Sequence, residues 1–311
     1  MRTWLVLGAV LAVTLAAVAD ALHGGRATVS KAKPVEQTSG SRIVPPGAPS
    51  GFMGTVYYSD SQDGCRVKTL AIPGFESTKP PDSRSCRFSL SPDGESLVPG
   101  HAVWKPQGGL VAIPGASDFE LASPGSSQTI RIGGQTPAFK PNGTLTYIRD
   151  GELLEWSIHC PNRERLFTLP GDNATARCTH VLSTLSARSI KWLTNTRFVA
   201  VLGGDQIAIV DHGRTVARRA FVPARRARLE LSPRRTFFTL WLDGNLFGAF
   251  DRKGDQITMP PIRGIRSLAW SPSERWAMLA TGRGSVYLFR PDTGDLRLRR
   301  LDISARDLAW R

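Results

Sequence analysis

The side chains best able to do chemistry in this sequence are arginines at a repeated spacing. Arg188 stands four residues before Trp192, Arg266 four before Trp270, and Arg306 four before Trp310. Arg225 and Arg226 lie beside the matching position before Leu231, and Arg263 lies just upstream of Arg266. A guanidinium is a planar fork of donors that engages a carboxylate or phosphate at two points. Several forks around one opening would focus a positive potential there. The spacing therefore predicts an anion-binding crescent of Arg188, Arg225, Arg226, Arg263, Arg266 and Arg306. It is one-sided, because Gly100 and Gln135 hold the equivalent places before Trp104 and Phe139. The competing reading is a set of solvated loop arginines, some paired with Asp302 or Asp307. A second basic set joins Arg214, Arg218 and Arg219 with Arg297, Arg299 and Arg300. It falls where outer strands are expected, and charge there guards an exposed edge against pairing.

Other chemistry is sparse. The histidines, His23, His101, His159, His180 and His212, show no ligand spacing, and no Gly-x-Ser-x-Gly elbow accompanies them. No catalytic residue, cofactor or metal is assigned on this basis. Asp60 and Asp63 could be set around calcium, but the later Glu of an EF-hand loop is missing. Four cysteines, Cys65, Cys86, Cys160 and Cys178, point to disulfides in an exported chain. Three connectivities are open, and His159 and His180 leave zinc as an alternative for the second pair. The net charge of +14 is regional: Trp156 to Arg311 holds 26 Lys+Arg against 13 Asp+Glu. Nucleic acid fits this charge poorly, since Trp104, Trp192, Trp270 and Trp310 sit at repeat landmarks and read as packing rather than as stacking platforms.

The elements that must position the arginines follow from the same landmarks. Lys191-Trp192-Leu193, Glu230-Leu231-Ser232, Ala269-Trp270-Ser271 and Ala309-Trp310-Arg311 are spaced 39, 39 and 40 apart. Upstream the pattern continues at Ala138-Phe139-Lys140 and Val103-Trp104-Lys105. Each period runs apolar strand, Pro-containing turn, strand, Gly/Asp turn, strand, Gly/Asp turn, strand. In the last full unit the strands are expected at Ser267 to Trp270, Trp276 to Ala280, Val286 to Phe289 and Leu296 to Leu301. Four strands per forty residues is the period of a propeller blade. The chain ends in a lone first strand at Leu308 to Arg311, whereas Thr55 to Tyr58 and Arg66 to Ile72 look like second and third strands lacking a first. Pairing them would shut the ring and remove open edges. The expectation is an all-β chain, a β-propeller of six blades, or of seven if Ser91-Pro92-Asp93-Gly94 opens another.

Ser91-Pro92-Asp93-Gly94 after Phe88-Ser89-Leu90, Lys140-Pro141-Asn142-Gly143 after Ala138-Phe139, and Trp270-Ser271-Pro272 resemble the repeat of TolB-like and related WD-repeat-like β-propellers. The resemblance spans about Phe52 to Arg311. It departs from the family in lacking the Trp-Asp pair of WD repeats and the separate amino-terminal domain of TolB proteins. What it implies is an exported, non-catalytic binding platform.

Trp4 to Ala19 is a run of sixteen uncharged residues after Arg2, ending in Ala-x-Ala patterns. It predicts a hydrophobic export helix within residues 1–22, either cleaved as a signal peptide or kept as a membrane anchor. Residues 23–51, rich in Gly, Ser, Pro and Lys, read as a flexible spacer, and 52–311 as the propeller. The expected protein is exported, either anchored outside the cytoplasmic membrane or secreted. It would be a monomer that binds an envelope protein or an anionic envelope polymer, touching the membrane only through an uncleaved amino terminus. The alternative is a propeller hydrolase or lyase acting on an acidic carbohydrate, which would place two carboxyl groups in the basic mouth.

Overall fold

The short apolar runs fold as antiparallel strands, numbered here in chain order. A computed structural model describes residues 52–72, 74, 76–78, 83–127, 129–157, 166–167, 177–203, 205–221, 227–242, 246–258, 264–291 and 299–311. The export segment at 1–22 and the spacer at 23–51 lie outside the described residues.

Seven sheets are present among the described residues. The first contains β1 (Gly54–Ser59), β2 (Val67–Ile72) and β3 (Glu76–Thr78), and the second β4 (Phe88–Leu90) and β5 (Leu97–Pro99). The third runs β6 (Val103–Trp104), β7 (Val111–Pro114), β8 (Asp118–Ala122), β9 (Thr129–Gly133). The fourth has β10 (Gln135–Phe139), β11 (Leu145–Arg149) and β12 (Glu152–Ser157), then β14 (Arg177–Thr184) with β13 (Leu166–Phe167) outermost. In the fifth are β15 (Ala187–Trp192), β16 (Arg197–Leu202), β17 (Gln206–Asp211) and β18 (Arg214–Ala220). β19 (Ala227–Leu231), β20 (Phe237–Leu242), β21 (Leu246–Asp251) and β22 (Gln256–Thr258) make the sixth. The seventh is β23 (Ile265–Trp270), β24 (Ala277–Thr281), β25 (Ser285–Phe289) and β26 (Arg299–Ser304). Finally β27 (Asp307–Trp310) pairs antiparallel with β1, so the first sheet has the order β27-β1-β2-β3.

β4 and β5 are three residues each and leave almost no alternating pattern to read, and the Ser91-Pro92-Asp93-Gly94 stretch connects them. The fourth strand of the last unit also reaches beyond the expected Leu301, to Ser304.

Turn chemistry explains the spacing of the strands. Gly284 sits at φ +86 with its N–H donating to the Thr281 carbonyl at 3.0 Å, closing the β24–β25 hairpin in a conformation that favours glycine. The Asp251 carboxylate accepts from the N–H groups of Lys253 and Asp255 at 2.8 and 2.9 Å, which holds the β21–β22 turn.

Apolar side chains of neighbouring sheets pack against each other in shared clusters. Val201 and Ile209 of the fifth sheet meet Leu229 and Phe238 of the sixth, and Trp241 of the sixth meets Leu268 and Leu279 of the seventh. Met278 and Leu288 of the seventh meet Val56, Leu308 and Trp310 of the first. Polar ties reinforce the seams. Trp192 donates from Nε1 to Thr146 Oγ1 at 2.7 Å across the fourth and fifth sheets. The Lys140–Glu155 ion pair lies beside it, with the Lys140 ammonium 4.7 Å from the Trp192 ring centroid.

The first and last described strands are fastened together. Arg311 N–H donates to the Thr55 carbonyl at 2.9 Å, and Trp310 Nε1 donates to the Met53 carbonyl at 3.1 Å. Phe52 sits edge-on between Trp276 and Trp310, at centroid distances of 5.2 and 5.7 Å. The small second sheet is held by the Cys65–Cys86 disulfide, whose Cα atoms are 4.7 Å apart, and by Arg311, which donates to the Leu90 and Ser91 carbonyls. Cys160 lies outside the described residues, as does the side chain of Cys178.

Candidate functional site

One cavity of about 910 Å³ is lined by Pro114 of β7 and by β4, β6, β10, β15, β19, β23 and β27, one strand from each of the seven sheets. Each is the strand that opens its period, so the landmark spacing delivers one wall segment per sheet. The position three before each landmark reads His101, Thr136, Ser189, Arg228, Ser267 and Asp307, and all six line the cavity.

Of the sequence-predicted crescent, Arg188 lines the cavity. Arg188 and Arg266 share a structural cause for their placement: the β15–β16 ladder slips between Ala187 and Ser189, and the β23–β24 ladder slips between Ile265 and Ser267. A bulge leaves the extra residue unpaired and re-aims its side chain. Arg266 is exposed and lies beside Gly282 in the β24–β25 turn, outside the cavity lining. Arg306, also exposed, directly precedes β27, and its N–H donates to the Ser59 carbonyl at 2.7 Å. Arg225, Arg226 and Arg263 lie outside the described residues. From the second basic set, Arg214, Arg218 and Arg219 fall on the exposed strand β18, and Arg219 pairs with Asp255 at 3.2 Å.

The cavity lining also holds a group of charged side chains that no local motif announces. Arg228 of β19 donates from Nη2 to Glu230 Oε1 at 2.6 Å and meets His101 Nε2 through Nη1 at 3.1 Å. His101 belongs to the entry of the third sheet and Arg228 to the sixth, so this contact joins sheets that are not neighbours. Burial, then the Arg228 charge, pushes the His101 pKa below its ordinary value. A neutral imidazole is the form whose Nε2 can accept from a guanidinium. Lys191 of β15 faces the same space, and burial lowers its pKa as well, with only Glu230 acting the other way against Arg228 and Arg235. Arg235 reaches across from the β19–β20 turn to donate to the Trp192 carbonyl at 2.8 Å.

Two further acids line the cavity: Asp93, whose Oδ1 accepts from the Glu95 N–H at 3.0 Å, and Asp307. Asp307 Oδ2 accepts from Phe88 N–H at 2.8 Å and its Oδ1 from Leu308 N–H at 3.1 Å. Burial raises its pKa despite these bonds and a further one from Ser267. Oδ2 thus joins β27 to β4 while Oδ1 is held within β27, so both oxygens of the group are engaged by backbone.

His101, Lys191 and Glu230 were missed in the sequence because no two are arranged as a local motif, and His101 and Arg228 are 127 residues apart. The signal that could have found them is the repeat itself, read one and three positions before each landmark.

No family model matches the chain, and no curated protein matches it. Solved structures do. Two structures of AztD from Citrobacter koseri, one described as apo, align with TM-scores of 0.54 and 0.55 at 10% and 11% identity, each covering 83% of this chain and 98% of that one. The β-propeller domain of Cps50 (Swd1) from Myceliophteria thermophila aligns with a TM-score of 0.48 at 11% identity, over 81% of this chain and 87% of that one. The likeness is one of fold: the chain has a β-propeller architecture, and the TolB-like resemblance gains no family assignment from it.

Proposed function

We propose that this chain is an exported, non-catalytic binding platform, built as a seven-bladed propeller that β27 shuts against β1. Its partner surface carries Arg188, Arg266 and Arg306 at the entries of first strands, with Arg225, Arg226 and Arg263 joining them on the strength of the sequence spacing, and its partner is an envelope protein or an anionic envelope polymer. The observation that carries the reading is the matched placement of Arg188, Arg266 and Arg306 at the entries of three first strands, two of them on bulges that turn the side chain out of the ladder. Such forks suit acidic groups at the rim of an interface, where charge governs encounter rate and salt sensitivity. The amino-terminal segment supports export, and retention of that segment would hold the platform at the membrane.

The rival reading, an enzyme on acidic carbohydrate, needs two available carboxyl groups. Arg228 holds Glu230, backbone N–H groups occupy both oxygens of Asp307, and Ser91 and the Glu95 N–H both bond Asp93 Oδ1, which weighs against it. Co-purification from the cell envelope tests the platform. Wild-type protein should capture a partner that Arg188→Ala/Arg266→Ala/Arg306→Ala does not; recovery of the same partner at the same yield by both would reject the reading.

A further inference from the structure

We propose that the channel also binds a small oxyanion, a carboxylate or phosphate group seated between Lys191 and Arg228 with Arg235 behind them. This site goes beyond the partner surface: it lies inside the cavity, and none of its three cations belongs to the crescent.

Charge balance is the first reason. Lys191, Arg228 and Arg235 gather where β15 and β19 line the wall, and one carboxylate, Glu230, faces them. Arg228 already holds that carboxylate at 2.6 Å. The other arm of the Arg228 fork rests on His101, a neutral acceptor that offsets no charge. The three cations outnumber the one carboxylate beside them on this wall, so a positive potential faces the lumen and favours an anion there.

The second reason is Lys191 itself. It lines the cavity, and among the described residues its ammonium makes no hydrogen bond or ion pair; its surroundings act on it only through burial and through-space charge. An ammonium has three donors and no way to satisfy them internally. A carboxylate or phosphate oxygen in the lumen would take those donors, and a second oxygen would meet the guanidinium in place of His101, as Arg forks prefer. A cavity of about 910 Å³ admits a group of that size with water to spare.

Thermal unfolding of the full chain, titrated with sodium phosphate and separately with sodium succinate at ionic strength held constant with sodium chloride, tests the site. A ligand that binds only the folded state stabilises it by RT ln(1 + L/Kd), with L its free concentration, so Tm climbs with the logarithm of that concentration above Kd. The expected result is such a logarithmic rise with at least one of the two anions, about 5 °C at a hundredfold excess over Kd, and none with chloride alone. A rise with phosphate only assigns a phosphoryl group, and a rise with succinate assigns a carboxylate. Lys191→Met should lose the rise while keeping the anion-free Tm close to that of wild type, since it removes a cation set beside two others without removing volume. Lys191→Arg should retain it. Absence of any anion-specific rise in the wild type, or an undiminished rise in Lys191→Met, would overturn the proposal.

Discussion

Replacing Trp310 by alanine removes the side chain that fastens the last strand to the first. Trp310 is 1% exposed, its indole N–H is bonded to the Met53 carbonyl at 3.1 Å, and Phe52 packs edge-on against it at 5.7 Å. Truncating a buried tryptophan costs about 3–5 kcal/mol, transfer energy and cavity together. The indole hydrogen bond and the Phe52 edge contact each lie near 1 kcal/mol, which places this site in the upper half of that range, at about 4–5 kcal/mol. A folded domain holds about 5–15 kcal/mol in total, so the loss is a third of the stability or more. The assay is urea unfolding of the full chain followed by far-UV circular dichroism. The midpoint should drop with an unchanged slope, because the same surface is exposed when a ring opens and unfolds as one body. Arg306→Ala, three residues upstream of β27's Ala309 and exposed, is the control and should fall within about 0.5 kcal/mol of wild type. A Trp310→Ala variant as stable as that control would refute the idea that the carboxyl-terminal strand bears on the integrity of the fold.

Gly54→Ala attacks the same seam from the other strand. A Cβ there would lie 2.3 Å from the Arg311 carbonyl oxygen, at a φ of +126, so a loss of about 1–3 kcal/mol is expected in the same urea assay. Reducing the Cys65–Cys86 bridge, which spans 21 residues, should lower stability by about 3 kcal/mol in the chain-entropy model, read as a drop in Tm on adding dithiothreitol that Cys65→Ser/Cys86→Ser does not show. His101 gives a pH signature. Its folded pKa is depressed, with Arg228, Arg87 and Lys191 facing it and Glu230 the one opposing charge. The unfolded chain therefore takes up the proton first, and stability present above about pH 6.5 is lost as pH falls toward the folded value. His101→Gln should show a smaller fall in Tm than wild type between pH 7.5 and 5.5.

The propeller architecture was legible because its signals are local and repeated. Trp192, Leu231, Trp270 and Trp310 mark the strand that opens each period, and Gly/Asp turns such as Asp251 to Gly254 fix where it doubles back. Phe88-Ser89-Leu90 and Leu97-Val98-Pro99 carry too few residues for alternation to show, so the second sheet emerges only from its pairing and from the Arg311 and Asp307 bonds that hold it. The bulges at Arg188 and Arg266 are invisible in composition, since an unpaired residue is a property of two strands at once. Lys191 and Arg228 read as ordinary charges in the sequence. Their meaning depends on a lumen that exists only when seven separate segments converge.

Equilibrium affinity for the captured envelope partner, measured as a function of salt, bears hardest on the proposed role of the mouth. Wild-type binding should weaken steadily between about 50 and 500 mM sodium chloride, as contacts between a basic rim and an acidic partner are screened. Arg188→Ala/Arg266→Ala/Arg306→Ala should bind at least tenfold more weakly at low salt and show a flatter dependence. Equal affinity and an equal salt slope in the two proteins would contradict the assignment of the partner surface to these arginines.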